Sequence, residues 1–342
     1  MEKSHSIIMK KKTLIYGGGA IGSYLAACLL KANHQIFFLT RNKNYNYIKK
    51  FGLSIKIFDN EKLKKKILIK KDKDFILINN LTKLKKTYFD NIFITTKINE
   101  NLCQIFSEID NFINLKTIII TPCTSIPFWW HKCLNKRLQI KIDDSLDKLF
   151  KKNIAKKNLV GMTMWLSGNI ERPGHIKISH IQRGFPIKEV FKDKKKLVDI
   201  LRDDLKKTTK SPLIKNIFSE IFIKSLNSLV FNMVALKYEQ NNDQINRNYK
   251  AKKEILKILS EGDKILKKYN IKIYQSPKSR IVQTLKSKKH TMSMLHAYQN
   301  KKDIELKMLW ESFLNLKKFL KFKMNKAEAL YKFIIKKYYG II

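Results

Sequence analysis

Hydrophobic and polar positions divide this chain into two regions. From Thr13 to about Lys215, short apolar runs alternate with glycine-bearing, polar or charged breaks, which is the pattern of buried strands joined by helices and loops. From Asn216 onward the apolar positions recur with helical period to the end, and Ser276-Pro277 is the main break. The strand candidates are Thr13–Tyr16, His34–Thr40, Leu53–Phe58, Phe75–Ile78, Asn91–Thr96 and Leu115–Thr121. Asn158–Leu166 and His175–His180 read as strands around a Gly-Asn / Pro-Gly turn region, and Ser211–Lys215 as a last short strand. Asp193–Lys207 reads as a helix, and Leu134–Lys157, charged and weakly patterned, as a surface insertion. The expected fold is α/β: an N-terminal Rossmann-like, doubly wound sheet followed by an all-α C-terminal domain. The expected division is 1–12 as an extension, 13–215 as the sheet domain and 216–342 as the helical domain.

The first strand runs into TLIYGGGAIGS, Thr13–Ser23, and then into an apolar helical run, Tyr24–Leu30. Gly17, Gly19 and Gly22 have the G-x-G-x-x-G spacing. The first allows a sharp turn off the strand, the second lets a pyrophosphate approach the backbone, and the third lets helix pack on strand. Ala20 and Ile21 begin the helix, whose free N–H groups and positive dipole end suit phosphates. A competing reading takes Met9-Lys10-Lys11-Lys12, the apolar stretch and Leu25-Ala26-Ala27-Cys28 as a lipoprotein signal. The glycines interrupt the apolar core of such a signal, and a second strand follows at once, so the nucleotide turn is preferred. Met9 is then a candidate start.

Composition changes this picture little. The chain has 342 residues and a formal net charge of +43, which raises the alternative of a nucleic-acid or anionic-surface binder. The lysines are spread along the chain, and Lys, Ile, Asn, Phe and Tyr are enriched together, as adenine- and thymine-rich codons would produce. No nucleic-acid or membrane partner is therefore expected. The four cysteines, Cys28, Cys103, Cys123 and Cys133, form no C-x-x-C pair and accompany no histidine cluster, so neither a disulfide framework nor a metal site is expected, and a reducing cytoplasm fits. No apolar run reaches the ~18 residues expected of a membrane helix.

Ligands of doubly wound sheets gather at the carboxyl ends of the strands. Where NAD enzymes usually place an acidic residue after the second strand, this chain has Thr40-Arg41. A guanidinium suits a 2′-phosphate and a carboxylate repels one, so NADPH is favoured over NADH. By the same rule Lys97 and the Thr124-Ser125 turn lie near the cofactor. In the helical part, Ile217–Leu236 is the most informative stretch. A polar stripe of Lys224, Asn227, Ser228 and Asn232 crosses an otherwise apolar helix. A lysine among apolar neighbours has a lowered pKa and serves as a proton donor near neutral pH. A second polar cluster comprises His290–Ser293 and Asp303–Glu305, with Glu305 placed to cap the following helix.

Taken together, these residues resemble the ketopantoate reductase (2-dehydropantoate 2-reductase) family over nearly the whole chain. Gly17–Gly22 looks like its nucleotide fingerprint, and Thr40-Arg41 like the strand end whose arginine contacts the NADPH 2′-phosphate. Thr96-Lys97 matches its lysine after strand four. Ile223-Lys224-Ser225-Leu226 looks like its tryptophan-x-lysine-leucine helix, with Lys224 on the catalytic lysine. Asn232 and Asn242 fall on two asparagines of that segment, Thr291–Leu295 resembles the serine-methionine-leucine motif, and Glu305 matches its glutamate twelve residues after Ser293.

The resemblance implies NADPH-dependent reduction of a 2-oxo acid in pantothenate biosynthesis by a cytoplasmic enzyme, with a homodimer as an admissible assembly. Lys224 would be the general acid, Glu305 would orient it or a water, and Ser228, Asn232, Asn242 and Ser293 would contact substrate. Three positions depart from the pattern. Thr124-Ser125 stands for an Asn-Gly turn, although Pro127-Phe128-Trp129-Trp130 is similar to a subgroup with Pro-Trp-Trp there. Ser228 and His290 each stand for an asparagine. The expected substrate is therefore 2-dehydropantoate or, in a paralogue, another keto acid or ketone.

Overall fold

The protein is described from a computed structural model covering residues 10–59, 61–84, 87–96, 102–130, 157–268, 270–286, 290–302 and 304–340. Lys97, Cys133, Asp303, the segment 134–156 and the first nine residues lie outside the described residues. The described chain forms two compact units. One holds residues up to 122 and 157–217, the other 123–130 and 218–340.

The first unit is built on a seven-stranded sheet. Strands β1 (Lys12–Tyr16), β2 (Gln35–Leu39), β5 (Phe75–Ile78), β6 (Asn91–Ile94) and β7 (Ile118–Cys123) pair in parallel. An antiparallel pair, β8 (Leu159–Thr163) and β11 (Ile187–Glu189), completes the order β11-β8-β7-β6-β1-β2-β5. A second sheet, β4-β3-β10-β9, joins β3 (Leu53–Asp59), β4 (Lys62–Ile69), β9 (Trp165–Arg172) and β10 (His175–Gly184). Helix α1 (Ala20–Lys31) packs against β1 and β2 on one side and β3, β9 and β10 on the other. That position explains its composition. Every residue from Gly22 to Leu29 is buried, so the helix carries no polar face, as expected of one covered all round.

One expectation is corrected here, and one further strand is found. Ser211–Lys215 is not a strand. Pro212 has no N–H to give a ladder, and the segment is tied to its neighbour by Ser211 Oγ donating to the Phe185 carbonyl at 2.7 Å. Conversely, Lys62–Ile69 is a strand that the lysine-rich sequence KLKKKILI hides. It is an exposed edge pairing antiparallel with β3, and lysines on an edge deter pairing with other chains.

The amino ends of the strands are fastened by a buried polar cluster. Helix α4 (Lys195–Lys206) supplies Asp204, which accepts hydrogen bonds from His34 Nε2 at 3.1 Å, Lys207 at 2.8 Å and Lys11. His34 Nδ1 meets Thr13 Oγ1 at 2.9 Å. Helices α2 (Asn42–Phe51) and α3 (Leu102–Ile109) are the other α-helices among the described residues of the unit. Burial alone would push the Asp204 carboxyl up, but the hydrogen bonds from Lys11, Lys207 and His34 outweigh it and hold the group at about 2. Burial pushes His34 below its ordinary range. Both groups bind protons more readily when unfolded, so stability is full at neutral pH and falls on acidification. The loss begins near the usual histidine pKa through His34 and continues through Asp204 between about pH 5 and 2. Asp204→Asn should cost about 2 kcal/mol at pH 7 and flatten the acid limb. Denaturant unfolding repeated across pH measures both effects, and an unchanged acid limb in the variant would remove Asp204 from the account.

The second unit is helical: α5 (Ile217–Tyr238), α6 (Asn242–Arg247), α7 (Tyr249–Lys268), α8 (Pro277–Leu285), α9 (Ser293–Gln299), α10 (Leu306–Leu320) and α11 (Asn325–Tyr339). Contrary to the expectation of no such run, α5 is long and apolar enough to cross a membrane, with mean hydropathy 1.3 over its best window. That window is 78% buried inside the protein, which is the condition of a central core helix. Trp130 packs its ring near Phe218 and Phe222 and donates Nε1–H to the Phe218 carbonyl at 3.0 Å. Phe222 in turn meets Phe313 of α10 edge-on at 5.8 Å.

Candidate active site

The glycine turn is held by contacts on three sides. Gly17 sits at φ 121°, which side chains rarely tolerate. A Cβ on Gly22 would lie 2.1 Å from the Gly17 carbonyl oxygen and 2.4 Å from Thr95 Oγ1, at the end of β6. Gly18, an unrestricted position of the spacing rule, is as tightly confined: a Cβ there would lie 2.2 Å from Thr40 Oγ1. Asn44 Nδ2 donates to the Gly18 carbonyl at 2.9 Å and fixes the loop further. Gly19 differs from these three. It caps the amino end of α1, a Cβ there meets nothing within 4 Å, and no side chain caps the helix. The first-turn N–H groups of a helix lack intrahelical partners, and Ala20 and Ile21, half-buried, belong to that turn.

Two further buried acceptor atoms, Thr96 Oγ1 after β6 and Asn79 Oδ1 after β5, have no hydrogen-bond partner among the described residues. An uncapped helix start, an open glycine surface and orphaned polar atoms at the carboxyl edge of one sheet fit a dinucleotide.

Arg41 follows β2, and its guanidinium is engaged. Its Nη2 donates to Tyr16 Oη at 2.9 Å and to Glu108 Oε2 of α3 at 3.2 Å, while Tyr16 Oη donates to the same carboxylate oxygen at 2.6 Å. Burial, followed by Glu108, raises the Tyr16 phenol above its usual range. A cavity of about 740 Å³ shares Glu108 and is also lined by Asn80, Thr82, Tyr88 and Ser107. Sequence reasoning missed Tyr16 and Glu108. Tyr16 had a visible signal, a polar tip on the last strand residue before the glycines. Glu108 had none, because it lies 67 positions from Arg41 on a short amphipathic helix. Thr124 directly follows β7 and is exposed.

In the helical unit, the polar stripe of α5 separates. Asn227 is buried and accepts from Arg280 Nη1 at 3.4 Å, so it serves a buried cation and not a shared polar face with Asn232. Asn227 and Asn232 are five residues apart, and at 3.6 residues per turn that places them on well-separated faces. Lys224 and Ser228 are half-buried. Burial lowers the Lys224 ammonium to about 8, with Glu220, one turn earlier, acting in the opposite direction.

Asn232 is buried and ties α5 to the start of α9. Its Nδ2 donates to the Ser228 carbonyl at 2.7 Å, and its Oδ1 accepts from Ser293 Oγ at 3.2 Å and the Met294 N–H at 2.9 Å. Asn242 is fully buried. Its N–H donates to the His290 carbonyl at 3.0 Å and its Nδ2 to the Thr284 carbonyl at 2.9 Å. Ser228, Asn232 and Ser293 are thus brought together, and Asn242 anchors the segment leading to Ser293. Glu305 is exposed at the head of α10 with φ 36°, and its side chain makes no capping hydrogen bond to that helix.

Comparison with known proteins agrees with this architecture. Residues 13–122 match the sequence profile of ketopantoate reductase PanE/ApbA. No curated protein sequence matches the chain. Among solved structures, a protein from Ralstonia solanacearum MolK2 assigned to the ketopantoate reductases superposes with TM-score 0.77 at 17% identity, covering 98% of this chain and 100% of the other. The 2-dehydropantoate 2-reductase from Geobacter metallireducens GS-15 gives TM-score 0.73 at 15% identity, covering 95% and 99%. A D-mandelate dehydrogenase solved with NADH and anilino(oxo)acetate gives 0.72 at 16% identity, covering 95% and 98%. At these identities the structural likeness is one of fold. Residues 13–122 thus match the ketopantoate reductase profile, and the chain as a whole shares its fold with solved structures assigned to the ketopantoate reductases.

Proposed function

We propose that this chain is an NADPH-dependent reductase of a 2-oxo acid, with 2-dehydropantoate, reduced to (R)-pantoate, as its first-choice substrate. On this reading it acts in the cytoplasm, in pantothenate synthesis. The observation that carries the reading is Lys224. It is a half-buried ammonium lowered to about 8 by desolvation, on an apolar helix beside the linked Ser228, Asn232 and Ser293. A proton donor works best when its pKa lies near the working pH. Reduced nicotinamide, when bound, would supply the hydride for the keto carbon. Lys224 hydrogen-bonds the keto oxygen and gives its proton to the alkoxide as it forms. Ser293, exposed and fixed by Asn232, is available to the substrate carboxylate. Asn242 supports the substrate wall from within the unit, and Glu305 is assigned the orienting of Lys224 or of a water. Gly17, Gly19, Ala20, Ile21, Gly22 and Arg41 are assigned to the cofactor, with Lys97 and Thr124 as its neighbours at the strand ends.

The test is a melting-temperature series with NADPH and with NADH, followed by a panel of 2-oxo acids assayed by NADPH oxidation. A ligand at about 100 times its Kd adds about 2.7 kcal/mol of stability, so the expected shift is readily measured. Gly19→Ala should melt like the parent without ligand, because its Cβ meets no protein atom, yet lose roughly tenfold or more in dinucleotide affinity. Full affinity in that variant would remove the pyrophosphate from the α1 amino end. A second reading keeps the chemistry and changes the acid. Ser228, Thr124 and His290 favour it, and a different best substrate on the panel would select it.

A further inference from the structure

Glu108 does not belong to the glycine turn or to the end of β2, yet its carboxylate is built into the place where a coenzyme's adenosine ribose is read in this class of sheet. Three donors hold it. Tyr16 Oη donates to Oε2 at 2.6 Å, Arg41 Nη2 to Oε2 at 3.2 Å, and Gln104 Nε2 to Oε1 at 2.9 Å. Tyr16 Oη also accepts from Arg41 Nη2 at 2.9 Å, and the guanidinium carbon lies 5.9 Å from the Tyr16 ring centre. The cluster therefore fixes an anion against Arg41, the cation assigned above to a 2′-phosphate. A phosphate brought to Arg41 must either displace this carboxylate or lie beside it, and like charges at that range repel. A ribose 2′-hydroxyl meets no such penalty, because a carboxylate accepts its hydrogen bond.

We propose that Glu108 is a specificity-determining residue for the coenzyme. By occupying Arg41 it weakens NADPH relative to NADH and draws the chain toward using both. This inference rests on the reading of the first unit as a nicotinamide-dinucleotide site. Its physical content is that the arginine after β2 is necessary but not sufficient for 2′-phosphate preference, since a counter-ion 67 positions away sets how much of the guanidinium charge a ligand meets.

The experiment compares the parent, Glu108→Gln, Glu108→Ala and Arg41→Ala by isothermal titration with 2′-phospho-ADP-ribose and ADP-ribose, and by protein-fluorescence titration with NADPH and NADH. Both Glu108 variants should raise the preference for the 2′-phosphorylated ligand by roughly fivefold, the upper scale of a partly exposed ion pair, with little change for the unphosphorylated one. Arg41→Ala should abolish the preference. A preference unchanged in both Glu108 variants, or one lowered because Arg41 is no longer positioned, overturns the inference while leaving the dinucleotide reading in place. If neither NADPH nor NADH binds the parent, both fall together. Melting curves of the unliganded variants identify any that fail to fold, and Glu108→Gln, which keeps an acceptor for Tyr16, is the more conservative of the two.

Discussion

Lys224→Ala should lower turnover of the 2-oxo acid by roughly 10²- to 10⁴-fold, the range attributed to a positioned general acid, while NADPH binding changes by no more than a few-fold. The separation is the informative part, because a lysine that merely stabilised the helical unit would lower melting temperature and binding together. The pH profile gives an independent reading. The ammonium titrates at about 8, and only the protonated form can donate. Reduction should therefore be flat below that pH and fall about tenfold per unit above it. The reverse oxidation, which needs the free amine as base, should rise through the same pH and level off. Lys224→Arg keeps a cation but holds its proton across the accessible range, so it should remain slow and lose the alkaline limb. A parent enzyme whose rate is flat from pH 7 to 10 would argue against Lys224 as the acid.

Asp263→Ala should cost the helical unit about 3–5 kcal/mol. Asp263 of α7 accepts from Arg280 Nη2 of α8 at 2.5 Å, and the arginine side chain has 0% exposure. Asn227 of α5 contacts the same guanidinium at 3.4 Å, so three helices meet on one buried ion pair. Desolvation dominates both partners, raising Asp263 and lowering Arg280 from their ordinary values. Arg280 Nε and Asp263 Oδ1 are also left without partners among the described residues. Such a pair adds little net stability over apolar residues, but removing one member strands the other charge in the core. The double variant Asp263→Ala/Arg280→Met should accordingly recover much of the loss from Asp263→Ala. Denaturant unfolding of the singles and the double closes the cycle. Strict additivity would show that the two groups do not depend on each other.

The sequence by itself determined the elements whose cause is local. β1, the glycine turn and α1 follow from strand propensity, a positive φ at Gly17 and an unbroken apolar run. The helical second half follows from a sustained 3.6-residue period. The placement of Lys224 on an apolar helix was legible for the same reason, since neighbours three and four positions away are neighbours in space. Tertiary structure alone decided what depends on residues far apart in the chain. Leu53–Phe58 reads as a strand without a stated partner, and in the structure Leu53–Asp59 pairs with β10 and β4 in a second sheet that packs on α1. The hydrophobic pattern of a strand names its buried face and not its partner. Lys62–Ile69 was hidden because an exposed edge strand needs only backbone pairing, and its side chains are free to be lysine. The α5 stripe looked like one polar face until Arg280 claimed Asn227 and Ser293 claimed Asn232, a choice made by α8 and α9. Arg41 could be read from its position after β2, but the carboxylate that shares its charge could not, because an ion pair leaves no periodic trace in the sequence.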